Sequence, residues 1–381
     1  MAYSCLVDAN IGERVRSSLD KLDPPRSHRA VAQAVGMTPD AFSRSLKGER
    51  SFSSIELAKL ADELGQDVYW LITGEPDPLR PRLAARHFFD QSSKTHEMPG
   101  REQDEAVLLD IALAYRQAYP QDAGYAQNPC SLPTAVDEMR DWLKPDFVRP
   151  FIDRVEQNLL VDVVRIKEVS TSYTLSIGTH TVVVVPASGS WFYENWCIAH
   201  ELGHIAAQDL DTDLPTTKRY EHETRANAFA AELLLPSDTM RSEDWVGMPE
   251  CDLAQWIWDS GVSTSALLNR ITALRLGPSD SVIRWSGSGG TFRLLRSAGK
   301  DLEGTGVESD HLVAARSLEA SKRRFPVSLQ EAHMKRIASG ELGKETLAWM
   351  MGVQSDQLVD IDEPPEPHTV DPGDLAKMLG F

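Results

Sequence analysis

Cysteine is scarce and scattered: Cys5, Cys130, Cys197 and Cys251 are the only four, and no two stand two residues apart. That distribution excludes a disulfide framework and a cysteine-built zinc site. Long apolar runs are missing too. No stretch approaches the ~20 residues needed to span a bilayer. The opening Met-Ala-Tyr-Ser-Cys-Leu-Val-Asp has no basic region followed by an apolar core. The expectation is a cytoplasmic protein with no membrane partner. Positive charge is in deficit, with 39 Lys and Arg against 57 Asp and Glu and a formal charge of -18. Such a balance argues against nonspecific nucleic-acid affinity of the chain as a whole, while leaving local patches free to differ. Disorder is excluded by a content of 41% hydrophobic and 25% charged residues, and 381 residues suffice for two or three domains with real cores.

Against these absences stands His200-Glu201-Leu202-Gly203-His204, set in the run 196–208 of helical composition. Residues four apart share a helix face, so both imidazoles can grip one ion. Glu201, one residue around the helix from the first ligand, is placed to orient and deprotonate a water held by that ion, the general-base role in peptide hydrolysis. The flanking Ile198, Ala199, Leu202, Ile205 and Ala206 make the helix apolar, so unligated imidazoles there would be costly to bury. Cys197 reads as a buried structural thiol rather than a redox sensor.

A catalytic zinc takes three protein ligands, which calls for a further one on a second helix. The run 221–236 has few helix breakers before Pro236, and Glu223, Ala226, Asn227 and Ala230 fall on one face whose small residues permit close helix approach. Glu223 is the favoured third ligand, with Glu221 and His222 as competitors. A solvated first-turn carboxylate is the plain alternative for the acids.

His-Glu-Leu-Gly-His followed by Glu223-Thr-Arg-Ala-Asn-Ala-Phe-Ala-Ala-Glu-Leu-Leu-Leu-Pro236 resembles the ImmA/IrrE family of zinc metallopeptidases. That resemblance implies His200, His204 and Glu223 as metal ligands, Glu201 as catalytic base, and Zn2+ as cofactor with Mn2+ as the other candidate. Two departures are visible: Arg225 replaces the family's usual Glu two residues before the Asn, and Leu235 replaces a Met before the final Pro, a volume-conserving swap. The family likeness covers about 105–277. It implies a protein substrate, most plausibly a helix-turn-helix repressor or antitoxin.

Residues 11–74 read as a bundle of short helices. Ser27 caps a helix that Gly36 ends, and Thr38 caps the next, with Pro39 at its first position and Gly48 beyond its end. Two short helices joined by a tight Gly turn form the unit that lays its second helix in the DNA major groove. Ala32, Gly36, Phe42 and Leu46 make 8–75 resemble the Xre-type, lambda-repressor-like helix-turn-helix family. Between Arg26 and Arg50 five basic residues face two acidic ones, a weak positive patch that favours specific binding by a homodimer over tight binding by a monomer. Thr38, Asp40, Ser43 and Arg44 point at base edges and Lys47 and Arg50 at phosphates of a DNA operator contacted through 26–50. The bland alternative is a bundle that binds protein or only dimerises.

Elsewhere, 104–119, 134–143 and 147–160 read as helices, and 174–177 and 181–185 as strands paired under the metal helix. An edge strand beside such a cleft holds extended peptide by main-chain hydrogen bonds, a role taken from the family resemblance. The pairs 282–285 and 291–295 read as a β-hairpin, and Ser328 with Glu331 as a capping box. The fold expected is mainly α with a small β-sheet: an N-terminal helix-turn-helix bundle (8–75), a linker (76–104), a central zincin-like α+β metallopeptidase domain (105–277), a C-terminal α+β region (278–360) with a sensory role by analogy, and an acidic, proline-rich tail (361–381). Two functions fit: a zinc-dependent endopeptidase that also binds DNA, or a non-cleaving helix-turn-helix regulator that uses the peptidase fold as a sensor.

Overall fold

The computed structural model describes residues 2–20, 22, 26–74, 82–84, 101–120, 132–208 and 216–358. Most of the expected linker and all of the expected acidic tail lie outside the described residues. The chain divides into two compact units, Met1–Arg80 and Pro81–Phe381. Among the described residues no helix is long and apolar enough to cross a membrane.

Among the described residues the first unit has five helices: α1 (Ala2–Leu19), α2 (His28–Ala34), α3 (Pro39–Leu46), α4 (Ser54–Leu64) and α5 (Val68–Thr73). Local chemistry sets their ends. Ser27 caps α2 by accepting from the Ala30 amide, Thr38 caps α3 by accepting from Ala41, and Ser53 and Glu56 form a reciprocal capping box on α4. Gly36 takes a φ of +79°, which turns the chain between α2 and α3 at no steric cost. Val15, Val31, Phe42, Leu60 and Leu71 bury together and tie all five helices to one core.

The second unit is built on a four-stranded sheet ordered β1-β3-β4-β2, from β1 (Arg82–Ala84), β2 (Val161–Ile166), β3 (Tyr173–Ile177) and β4 (His180–Pro186). Strands β2 and β4 run parallel, and β3 is antiparallel to both β4 and β1. Helices α6 (Arg101–Ala118), α7 (Val136–Leu143) and α8 (Phe151–Leu159) precede β2. Helices α9 (Trp191–Ala207) and α10 (Thr216–Leu234) follow β4, and then come α11 (Ser237–Ser242), α12 (Glu250–Ser260), α13 (Thr264–Ala273), α14 (Asp280–Trp285), α15 (Gly290–Ala298), α16 (Ser309–Glu319), α17 (Val327–Ala338) and α18 (Glu345–Met351).

Both faces of the sheet are covered, which is why 181–185 reads as an unbroken β-branched run rather than an alternating one. Val161, Val163, Val183 and Val185 pack with Ile198, Leu202 and Ile205 of α9. Val164, Ile166, Leu175, Val182 and Val184 pack on the opposite face with Leu108, Ile111 and Tyr115 of α6 and with Leu329 and Ile337 of α17. A buried ion pair between Arg165 of β2 and Glu194 fixes the first turn of α9 to the sheet. Burial raises the Glu194 carboxyl above its ordinary range, against the opposing pull of Arg165.

Three expectations are corrected. The segment expected as a hairpin is α14 and α15: Ser279 caps α14 through the Val282 amide, and Thr291, Leu294 and Leu295 are buried at a spacing that suits one helix face. A strand would have sent the adjacent Leu294 and Leu295 to opposite sides. The region 278–358 is consequently helical apart from a short 3-10 turn at Ser355–Gln357, and its β content among the described residues is one isolated bridge between Arg324 and Arg165. Ser328 is no cap either, because α17 begins one residue earlier, behind Pro326, with no side-chain cap bond. The expected linker, finally, contributes strand β1.

At Gly12 of α1, a Cβ would stand 2.3 Å from the Leu46 carbonyl oxygen at the end of α3. Helix propensity alone predicts that alanine there stabilises by about 1 kcal/mol. The steric clash reverses the sign, so Gly12→Ala is expected to cost the first unit about 1–3 kcal/mol, read as a lower urea midpoint.

Candidate metal centre

Helix α9 is buried continuously from Cys197 through Ala206, with Ile198, Leu202 and Ile205 in the core it shares with the sheet and α10. Ser190 caps its start by accepting from the Tyr193 amide, and Gln208 in a left-handed conformation closes its end. His200 and His204 lie one turn apart, 9% and 3% exposed, their rings 5.0 Å apart. Helix α10 crosses α9 at Gly203, where a Cβ would stand 3.1 Å from both Ala226 Cα and Phe229 Cβ. The absent side chain at Gly203 and the small one at Ala226 let the helices approach, and this brings Glu223 over the two imidazoles.

Glu223 Oε2 is 3.3 Å from His200 Nε2, and Glu223 Oε1 is 3.6 Å from His204 Nε2. One ligand atom from each of His200, His204 and Glu223 lies within 4.8 Å of the others. Ligand atoms about 2.0–2.1 Å from a tetrahedral zinc stand roughly 3.3–3.4 Å apart, so this His-His-Glu set fits such an ion. His200 Nδ1–H donates to Asn227 Oδ1 at 3.0 Å. A carbonyl oxygen can only accept, so the ring donates from Nδ1 and turns Nε2 toward Glu223.

Glu201 is 0% exposed. Its carboxylate accepts from Ser172 Oγ at 2.7 Å and Thr174 Oγ1 at 2.6 Å, so both oxygens are held from the direction of β3. These bonds offset the cost of burying the charge. The support extends one layer further. Asp104 of α6 accepts from the Ser170 amide at 3.1 Å, the Ser170 hydroxyl at 2.5 Å and the Tyr173 hydroxyl at 2.6 Å, which fixes the backbone that carries Ser172 and Thr174. Cys197, near Ser172 and Tyr193, has its thiol pushed up to about 12 by burial, as befits an inert structural cysteine. Burial likewise raises the Tyr193 hydroxyl.

The structure thus brings together His200, His204, Glu223 and Asn227, with Glu201 on the same helix. It leaves Glu221 exposed and outside the cluster, and His222 half-buried outside it. Two tyrosines lie near these helices in sequence, Tyr220 at 67% and Tyr193 at 37% exposure. Ser172, Thr174 and Asp104 were missed by sequence reading. Their one available signal was the alternation Ser172, Thr174, Ser176, which puts three buried hydroxyls on one strand face.

In the first unit, Thr38, Asp40, Ser43, Arg44 and Lys47 lie exposed on or beside α3. Arg50 is engaged within the bundle: it donates to Glu56 Oε2 at 3.0 Å and Oε1 at 2.9 Å, and to Ser45 Oγ at 3.1 Å. The Arg50 bond holds the Glu56 carboxyl below its ordinary range.

Residues 163–272 match the M78 peptidase family model, described as an IrrE N-terminal-like domain. That match spans β2 to α13 and includes every residue of the cluster. It supports the ImmA/IrrE peptidase family and a metallopeptidase-type function for this segment, and it implies a metal ion. Comparison with curated proteins and with solved structures gave no match.

Because Asn227 orients His200, Asn227→Ala is expected to weaken metal affinity about 10- to 100-fold, measured by titration against a competing chelator. An affinity equal to that of the wild type would remove Asn227 from the centre.

Proposed function

We propose that this chain is a metal-dependent endopeptidase and DNA-binding regulator that acts in the cytoplasm and cleaves a helix-turn-helix repressor or antitoxin. The observation that carries the reading is the meeting of His200, His204 and Glu223 next to a buried Glu201, inside a segment that matches a metallopeptidase family. His200 and His204 through Nε2, and Glu223 through its carboxylate, would hold the ion, with zinc preferred and manganese the other candidate. When bound, such an ion supplies Lewis acidity toward a peptide carbonyl and makes water more acidic.

Glu201 accepts the proton of the attacking water at a carboxylate oxygen and returns it to the leaving amine nitrogen. Ser172 and Thr174 each donate to one of its oxygens, so the carboxylate is fixed in rotation. Burial removes Glu201 from bulk solvent, where its charge would be screened. Asn227 holds the His200 ring so that Nε2 faces Glu223.

In the first unit we assign Thr38, Asp40, Ser43 and Arg44 to base edges and Lys47 to phosphate, with the operator read by a homodimer. Arg50, paired with Glu56, serves the joint between α3 and α4 instead.

Glu201→Gln keeps the shape, with one of the two hydroxyls turned to accept from the new amide, but removes the base. Cleavage of a candidate repressor, followed by mass spectrometry of the products, is expected to fall by about 10²- to 10⁴-fold, with metal content and DNA binding unchanged. A variant that cuts as fast as the wild type ends this mechanism. A metal-loaded wild type that cuts none of the repressors or antitoxins offered points to a regulator that senses without cleaving.

A further inference from the structure

Strand β3 has two edges. One pairs with β4 from Tyr173 to Ile177, and the other is covered over Thr174–Ser176 by β1, in the register Arg82 opposite Ser176, Leu83 opposite Leu175 and Ala84 opposite Thr174. The covered edge belongs to the strand that holds Glu201, since Thr174 is both the partner of Ala84 and the donor to Glu201 Oε2 at 2.6 Å. A chain laid on this edge runs beside the residues that position the base. In the sheet order β1-β3-β4-β2, β1 is a terminal strand, so removing it leaves the paired core β3-β4-β2 intact.

Strand β1 is three residues long against five in β3 and seven in β4. A short terminal strand held by a few main-chain bonds is replaceable by any extended polypeptide that presents the same donors and acceptors.

An edge that takes extended peptide is what the family resemblance implies; we propose that in the free protein the chain's own Arg82–Ala84 occupies that seat on the outer edge of β3 in place of a bound polypeptide. A protein substrate, on the reading proposed above, must displace this segment to pair beside Glu201. Recognition there is by backbone, antiparallel to β3, and excludes proline at positions whose amides face the edge. Because β1 is the first element of the second unit, the segment that holds the seat also continues directly into the chain leading back to the first unit.

Successive strand amides point to opposite sides, so replacing both Leu83 and Ala84 by proline removes a ladder donor whichever of them faces β3. The experiment compares full-length wild type with the double variant Leu83→Pro/Ala84→Pro. Hydrogen exchange is followed at amides 174–176, together with anisotropy of a labelled peptide with the sequence of residues 80–86, Arg-Pro-Arg-Leu-Ala-Ala-Arg. Amides 174–176 are expected to exchange at least about tenfold faster in the variant, the peptide to bind it at least about tenfold more tightly, and bound peptide to restore protection. Amides 182–184 of β4, which should keep their protection, report that the sheet remains folded. If they too lose protection, replacing residues 82–84 by glycines supplies the comparison. Unchanged exchange at 174–176 in a folded variant overturns the self-occupied edge. Faster exchange with no peptide binding overturns the seat. Neither readout requires metal or cleavage, so a failure here is distinct from a failure of the peptidase reading.

Discussion

The close crossing of α10 over α9 at Gly203 is the contact on which the candidate centre depends. His200 and His204 come from one helix and need only its pitch to align, but Glu223 comes from another, and its carboxylate reaches both imidazoles because the crossing is a Gly against an Ala. A larger side chain at either place would separate the helices and remove the third ligand. The same face of α10 carries Asn227 one turn beyond Glu223, so one crossing delivers both a ligand and the group that orients a ligand. Packing and chemistry are settled here by a single geometry.

A buried helix of this kind imposes a second constraint, because Glu201 cannot turn toward solvent. Its charge is accommodated by Thr174 of β3 and by Ser172 just before it, and β3 is steadied in turn by Asp104. The sheet therefore acts as the mount for the carboxylate as well as the floor of the core. The hydroxyls occupy positions where β2 and β4 place valines, so the α9-facing surface of the sheet is apolar at one side and polar under Glu201.

How much of this was legible depends on whether a signal was local. The spacing of His200 and His204, the Glu223 face and the caps at Ser27 and Thr38 are written within a few residues, and each appears in the structure where the spacing puts it. The segments 282–285 and 291–295 read as strands because three or four β-branched and apolar residues suit a strand and a buried helix equally; the cap at Ser279 and the burial of Leu294 beside Leu295 decide for helix. Ser172, Thr174 and Asp104 act across 27 to 69 residues of chain, and no local pattern announces such a pairing. The charge of Arg50 is visible in the sequence, whereas its bond to Glu56 depends on how α3 meets α4. Strand β1 is three residues in a proline-rich stretch, with too short a period to be read from composition.

The most direct test of the centre is the metal content of purified full-length protein beside a His204→Ala variant. About one zinc per chain in the wild type, lost in the variant, is the expected result. A wild type that is empty as purified and takes up no added zinc would contradict the metal centre, and the peptidase reading with it.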